Sequence, residues 1–290
     1  MARRSRRHRS EQERAERRCA DRERLRNAAQ ELLSSEGWAR WVRARSMFRA
    51  YSAGNCMLLA LQCHERGIAP EHIAGFRTWL TLGRCVCKGE TALRILAPVT
   101  VKERDAGGEE TGESRVFFRT AFVFDLSQTE PLPGVEPAPL EPSSEPLSGD
   151  SHGHLLEPLE RFARTLGYAV SYQEIPGPAG GWCDARARQI VVDAGAPANG
   201  RVRTLVHECA HALGIDYERY SRAQAEVIVD TVTYVVCAGI GLAIDGESIP
   251  YVAGWGEEGA PEAVTDFAET IDALARRIEG ALPVGDRLAP

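Results

Sequence analysis

A chain of 290 residues can hold two domains of ordinary size, and 43% hydrophobic residues supply enough apolar side chains for real cores, which excludes a wholly disordered or fibrous protein. The net charge of −6 conceals an asymmetry: residues 1–50 carry 15 arginines and no lysine against 7 acidic residues, a local excess of +8 that leaves −14 on the rest. The basic start leads into more charge and not into an apolar run, so no secretory signal is expected.

The predicted elements begin with a basic arm over 1–24. Two readings fit it: a surface for an anionic partner, or a solvated helix in which Glu11, Glu13, Glu16 and Glu23 interleave with arginines. Apolar spacing then predicts helices over 25–42 and 53–65, and a third marked by Ile73, Phe76, Trp79 and Leu82. After Gly83 the pattern turns to strands over 91–101 and 116–125, joined by a Gly-rich hairpin at 105–113. These elements make an α+β module over 25–130.

Prolines at 131, 133, 137, 139, 142 and 146, with no apolar periodicity, predict a semi-stiff linker over 131–152. The unit that follows, 153–290, reads as mainly helical with a small sheet. Helices are expected over 154–166, stopped by Gly167, over 201–213, stopped by Gly214, from Ser221, and over 261–279. Strands are expected over 168–172 and at Gln189-Ile190-Val191-Val192-Asp193, preceded by Gly181-Trp182-Cys183-Asp184. In zinc peptidases a strand before the helix that carries the metal ligands often forms an edge on which an extended peptide lies, so a protein substrate is one expectation if the 201–213 helix holds a metal; an ordinary core strand is the other. The fold class is thus α+β, in two domains.

Eight cysteines, at 19, 56, 63, 85, 87, 183, 209 and 237, form no CxxC and suit a reducing cytoplasm. Cys56, Cys63, His64, Cys85 and Cys87 match no standard zinc knuckle, which favours small apolar packing over a second metal site. The apolar stretch over 227–244 is broken by Asp230, threonines and glycines, and reads as a buried helix and not as a membrane span.

The chemistry concentrates in His207-Glu208-Cys209-Ala210-His211. On a helix the two imidazoles fall one turn apart on one face, supplying two zinc ligands without loop closure, while the glutamate between them is free to take a proton from water. Ser221-Arg222-Ala223-Gln224 is a capping box that starts the next helix, which carries Glu226 and Asp230 on one face. Glu226 is expected to complete the zinc site and Asp230 to orient a ligand histidine through its second ring nitrogen, with the reverse assignment as the alternative. Tyr217 or Tyr220 would lie near a developing oxyanion, on nearness in sequence alone.

Tyr51-Ser52-Ala53-Gly54-Asn55 followed by Leu58-Leu59 and Gln62, then Gly75-Phe76-Arg77-Thr78-Trp79, Leu82-Gly83-Arg84, Lys88-Gly89-Glu90, and the later run from Ala121 to Thr129 ending Ser127-Gln128-Thr129, resemble the N-terminal domain of ArdC-type antirestriction proteins over about 38–132. The second unit, including Pro250-Tyr251-Val252-Ala253-Gly254-Trp255, looks like the ImmA/IrrE-type zinc peptidases, although the segment after His211 is short and Asp230 stands where glutamate is expected. The resemblance implies that the first domain binds single-stranded DNA and that an HExxH metallopeptidase-like, zincin-like domain follows. Single strands are held by a positive groove with aromatic platforms. The candidates are Arg43, Arg45, Arg49, Tyr51, Asn55, Arg77, Trp79, Arg84 and Lys88, with core packing the competing role for Trp79 and a buried structural amide for Asn55.

The expectation is therefore a cytoplasmic single-stranded-DNA-binding zinc metalloprotease acting on a protein substrate, in antirestriction or DNA-associated proteolysis, with His207, His211 and Glu226 on the metal and Glu208 as general base. The alternatives are a DNA-binding protection protein with a non-catalytic zinc site, and a regulatory protease that cleaves a repressor.

Overall fold

The computed structural model describes residues 11–48, 50–104, 110–137, 145–177, 179–215, 219–243 and 261–283. Arg49, Tyr217, the first ten residues of the basic arm, most of the 105–113 hairpin tip, 138–144 of the Pro-rich stretch and the motif from Pro250 to Trp255 lie outside them.

The single helix expected over 25–42 is two. α1 (Glu11–Glu31) stops and α2 (Ser35–Met47) restarts, because Ser34 Oγ accepts the Gly37 N–H at 3.0 Å as an N-cap. A Cβ at Gly37 would lie 1.9 Å from the Glu31 carbonyl oxygen, so the close approach of the two helices requires glycine there. α3 (Ala53–Arg66) is capped by Ser52 and ends at Gly67, φ 65°. The expected third helix is also divided. Ile73–Gly75 is a strand, β1, and only Phe76–Thr81 is helical, α4; pairing of Ile73 with Asp125 and Gly75 with Val123 overrides a local spacing that reads as helix.

β2 (Arg84–Val86) pairs with β5 (Thr129–Pro131), while β3 (Leu93–Arg104) and β4 (Glu110–Asp125) form a long antiparallel ribbon in a sheet of order β1-β4-β3. The outer edge of β3 is closed by two amides of α3. Asn55 exchanges two 2.9 Å hydrogen bonds with the backbone of Leu96, and Gln62 does the same with Arg94.

In the second half, β6 (Glu145–Pro146) runs parallel to β10 (Leu242–Ala243). α5 (Leu156–Thr165) leads to a three-stranded sheet of β7 (Ala169–Gln173), β9 (Gln189–Asp193) and β8 (Gly181–Asp184), in which β9 is central and β8 is an edge. α6 (Ala198–Ala212), α7 (Arg222–Gly239) and α8 (Pro261–Ala281) follow.

The stretches on either side of the Pro-rich segment share one continuous core. Trp38, Trp41 and Val42 of α2 belong to the same buried cluster as Val229, Val232 and Val236 of α7 and Ile190 and Val192 of β9. α2 packs on α7, and α8 packs on α1, α3, α5, α6 and α7. Arg45, a predicted DNA contact, is instead 0% exposed in this seam. Its guanidinium donates to Asp272, and to both carboxylate oxygens of Glu279 at 3.2 and 3.0 Å. Burial works against the charge, yet the two carboxylates outweigh it and hold the arginine pKa above its ordinary value. Asp272 also accepts the Ala53 N–H at the start of α3 and the Arg276 side chain. No helix among the described residues is long and apolar enough to cross a membrane.

Candidate metal centre

α6 begins three residues earlier than its apolar pattern suggests and ends as expected, with Gly214 at φ 100°. Val202, Leu205, Val206 and Cys209 are fully buried and fix the rotation of the helix, so His207 and His211 emerge side by side, ring centroids 5.1 Å apart. α7 starts at the predicted capping box: Ser221 Oγ accepts the Gln224 N–H at 3.3 Å and Gln224 Oε1 accepts the Ser221 N–H at 3.1 Å. The antiparallel return of α7 brings Glu226 opposite the histidines.

Nε2 of His207 lies 3.8 Å from Glu226 Oε2, and Nε2 of His211 lies 4.0 Å from Glu226 Oε1. One ligand atom from each of the three falls within 4.8 Å of the others, the only such group among the described residues. A cation bonded at about 2.1 Å to each would draw them slightly closer. The remaining ring nitrogens point away from that centre. His211 Nδ1 is 3.0 Å from the Ile215 carbonyl, to which its N–H donates. His207 Nδ1 is buried and sits 3.2 Å from Asp230 Oδ1, off the line of the ring N–H, so a small ring rotation would complete the hydrogen bond. Both contacts favour the tautomer that carries its proton on Nδ1, so that Nε2 is the nitrogen turned towards Glu226. Two imidazoles and a carboxylate thus fit a divalent cation.

The electrostatics are those of a half-dry acidic pocket. Burial, then the negative charge of Glu226, push the Glu208 carboxyl up to about 7 against the opposing pull of His207. For His207, burial lowers the pKa, but Asp230, Glu208 and Glu226 together raise it above the ordinary imidazole value; for His211 burial dominates and lowers it.

A cleft of about 640 Å³ opens over this group, lined by Gly181 to Arg186 on one side and by His207, Glu208, His211, Ile215, Arg222 and Glu226 on the other. The cleft wall is therefore β8 and its turn, whereas the apolar Gln189–Asp193 run is the central strand. From sequence Trp182 and Arg222 were named only as parts of a strand-like run and a capping box, and Arg186 not at all, although Arg222 falls one turn before Glu226 on the same helix. Tyr220 packs towards Phe267 of α8, centroids 6.5 Å apart, and does not line the cleft.

The predicted nucleic-acid residues that are described differ in exposure. Arg43, Arg77 and Lys88 are exposed. Trp79 is fully buried, its indole N–H donating to the Phe124 carbonyl at 3.0 Å, so no face is left for a base. Asn55 is spent on β3; Tyr51 is half-buried with its hydroxyl on the Ile73 carbonyl, and burial pushes its pKa up to about 12. Arg84 is held by Thr129 through its side chain and carbonyl. The ribbon was predicted as strands, but its exposed aromatics were not among the predicted contacts. Phe118 and Phe122 lie on one face of β4 and are 64% and 51% exposed, with exposed Arg94 directly across from Phe122.

An α+β fold with a compact two-histidine, one-carboxylate group defines a candidate metalloprotein. Residues 23–124 match the family model described as the N-terminal domain of anti-restriction factor ArdC. The chain is ArdC-like in fold as well: the metal-free crystal structure of the antirestriction protein ArdC from plasmid R388 is 19% identical, covers 89% of this chain and 97% of its own, and has a TM-score of 0.52. The Mn(II)-bound structure of the R388 protein is 18% identical over 80% of this chain and 88% of its own, with a TM-score of 0.44. No curated protein matches the chain.

Proposed function

We propose that the protein is a divalent-metal-dependent peptidase carried on a single-stranded-DNA-binding domain, acting in antirestriction or DNA-associated proteolysis. The observation that carries this reading is the convergence of His207, His211 and Glu226 beside a buried glutamate in an open cleft. The donor set suits zinc, which when bound supplies the Lewis acidity that polarises a scissile carbonyl and acidifies water towards pKa ~7. Asp230 and the Ile215 carbonyl hold the two imidazoles in register. Glu208, 6% exposed and facing the cleft, takes the proton of the attacking water and returns it to the departing amine. An extended peptide seats against the free edge of β8.

The test is metal content together with hydrolysis of an unfolded protein, with zinc and manganese compared after chelation. Glu226→Gln is expected to lose stoichiometric metal and all hydrolysis; full metal content in that variant would move the third ligand to Asp230.

The ArdC-type domain supports the nucleic-acid half of the reading, and the exposed aromatics of the β3–β4 ribbon offer the stacking surface that Trp79 cannot. Base stacking contributes about 1–3 kcal/mol per base. Phe118→Ser with Phe122→Ser is therefore expected to weaken binding of an oligo-dT strand by at least about tenfold in a fluorescence anisotropy titration, with metal content unchanged. Unaltered affinity would place the strand elsewhere.

A further inference from the structure

The cysteines divide by environment. Cys56, Cys63, Cys209 and Cys237 are buried, and the small apolar role expected of the first two holds. Cys85 and Cys87 differ: both are half-exposed, two residues apart at the β2 side of the β2–β5 pair. The ladder runs past Val86, because the Cys87 N–H donates to the Gln128 carbonyl at 2.9 Å. Alternation along an extended strand therefore turns both thiols to one face. Arg84 and Val86 take the other, where Thr129 holds the Arg84 guanidinium. Directly across from Cys85 is Glu130, whose Oε1 accepts from the Cys85 thiol at 3.8 Å.

Geometry decides what can join the two sulfurs. A disulfide needs Cα atoms about 4.4–6.8 Å apart and converging Cβ directions. Residues two apart on a strand sit near the upper limit, at about 6.6 Å, with their Cβ directions parallel. The backbone is also pinned on both sides of Cys87, whose N–H is bonded to Gln128 and whose carbonyl accepts the Glu90 N–H at 3.3 Å. A direct S–S bond therefore requires the ladder to open. A compact zinc set is not formed either: among the described residues only His207, His211 and Glu226 bring three ligand atoms within 4.8 Å of one another, so Glu130 does not close a triad with the two thiols. A soft monovalent cation needs neither, since Cu(I) is taken by thiolates and is satisfied by two sulfurs in a near-linear arrangement. The electrostatics act in the same sense. Partial burial, then the Glu130 carboxylate and the Cys87 thiol, raise the Cys85 pKa above its ordinary value. That makes Cys85 a poor nucleophile towards oxidants, whereas a cation between the sulfurs displaces the proton and is favoured by the adjacent carboxylate.

We propose that Cys85 and Cys87 form a two-coordinate site for a soft monovalent cation of the Cu(I) class, carried on the β2–β5 pair and separate from the histidine–carboxylate centre. The site is independent of the peptidase reading, because it shares no residue with the cleft.

The test is an anaerobic titration of the full-length, reduced chain with Cu(I) against bicinchoninate, a chromogenic Cu(I) chelator, with excess zinc present to fill the histidine–carboxylate centre. The chain carries Cys19→Ser, which removes the exposed thiol of α1. One equivalent of Cu(I) is expected to leave the chelator, and X-ray absorption at the copper edge should show a first shell of two sulfurs alone. Cys85→Ser and Cys87→Ser, each by itself, should weaken binding by at least about 10²-fold, because each removes one arm of a chelate. Serine is close in size at these half-exposed positions, so the far-ultraviolet circular dichroism should not change. Cys183→Ser, at the other half-exposed cysteine, should leave the affinity as it was. Cu(I) binding that survives both substitutions at β2 overturns the proposal. So does a copper shell containing nitrogen or a third sulfur. Rapid closure of a Cys85–Cys87 disulfide by oxidised glutathione, read by mass after alkylation, also overturns it, since the sulfurs would then lie within bonding reach of each other.

Discussion

Glu208→Gln is expected to keep the divalent cation and to slow peptide hydrolysis by about 10³-fold, within the range that a positioned acid–base group supplies. Glutamine preserves the shape of a side chain that is almost wholly buried at the cleft floor, and it is not one of the three groups that meet at the metal position. Metal content by elemental analysis and the rate on an unfolded protein should therefore separate, one unchanged and the other collapsed. The glutamine variant lacks both the basic oxygen pair and the proton it would return to the leaving amine. Hydrolysis within a few-fold of wild type would remove Glu208 from the reaction. Retention of DNA protection in that variant, with hydrolysis gone, would instead separate the biological role from the peptidase chemistry.

The largest expected loss of stability comes from Arg45→Met. Removing this guanidinium strands the buried Glu279 carboxylate and leaves Asp272 beside it with only Arg276 and the Ala53 N–H, and breaking one partner out of such a buried group costs about 3–5 kcal/mol. For a chain of this size that corresponds to a fall in Tm of roughly 10 °C. The melt should stay a single transition by far-ultraviolet circular dichroism and by tryptophan fluorescence, because α2 and α8 are covered by one core. Two separated transitions, only the second of them shifted, would show that the halves unfold independently and that the seam carries little.

The metal helices were legible because their signals are local. An i, i+4 histidine pair, a Ser-x-x-Gln box and a glycine stop each act within a turn or two, and the structure places α6, α7 and Gly214 where those signals put them. The misread elements depend on distant partners. Ile73 to Gly75 is extended because β4 arrives some 50 residues later, and the break at Ser34 follows from a close helix approach that a run of good helix formers conceals. Arg45 is the sharpest case: among 15 arginines in the first 50 residues nothing marks it out, and its partners lie on α8, over 220 residues away. The β8 edge was hard to read for a related reason. Its burial alternates while that of β9 is continuous, so hydrophobicity draws attention to the central strand and away from the one lining the cleft.

The common core also bears on whether the two stretches could exist apart. A gene fragment encoding only the stretch beyond the prolines would carry every group of the metal centre, yet α7, from which Glu226 and Asp230 project, would present to water the valine-rich flank that α2 covers in the intact chain. Such a fragment begins life with an adhesive surface next to its reactive groove. The stretch beyond the prolines thus depends on α2 for its solubility as well as for its packing.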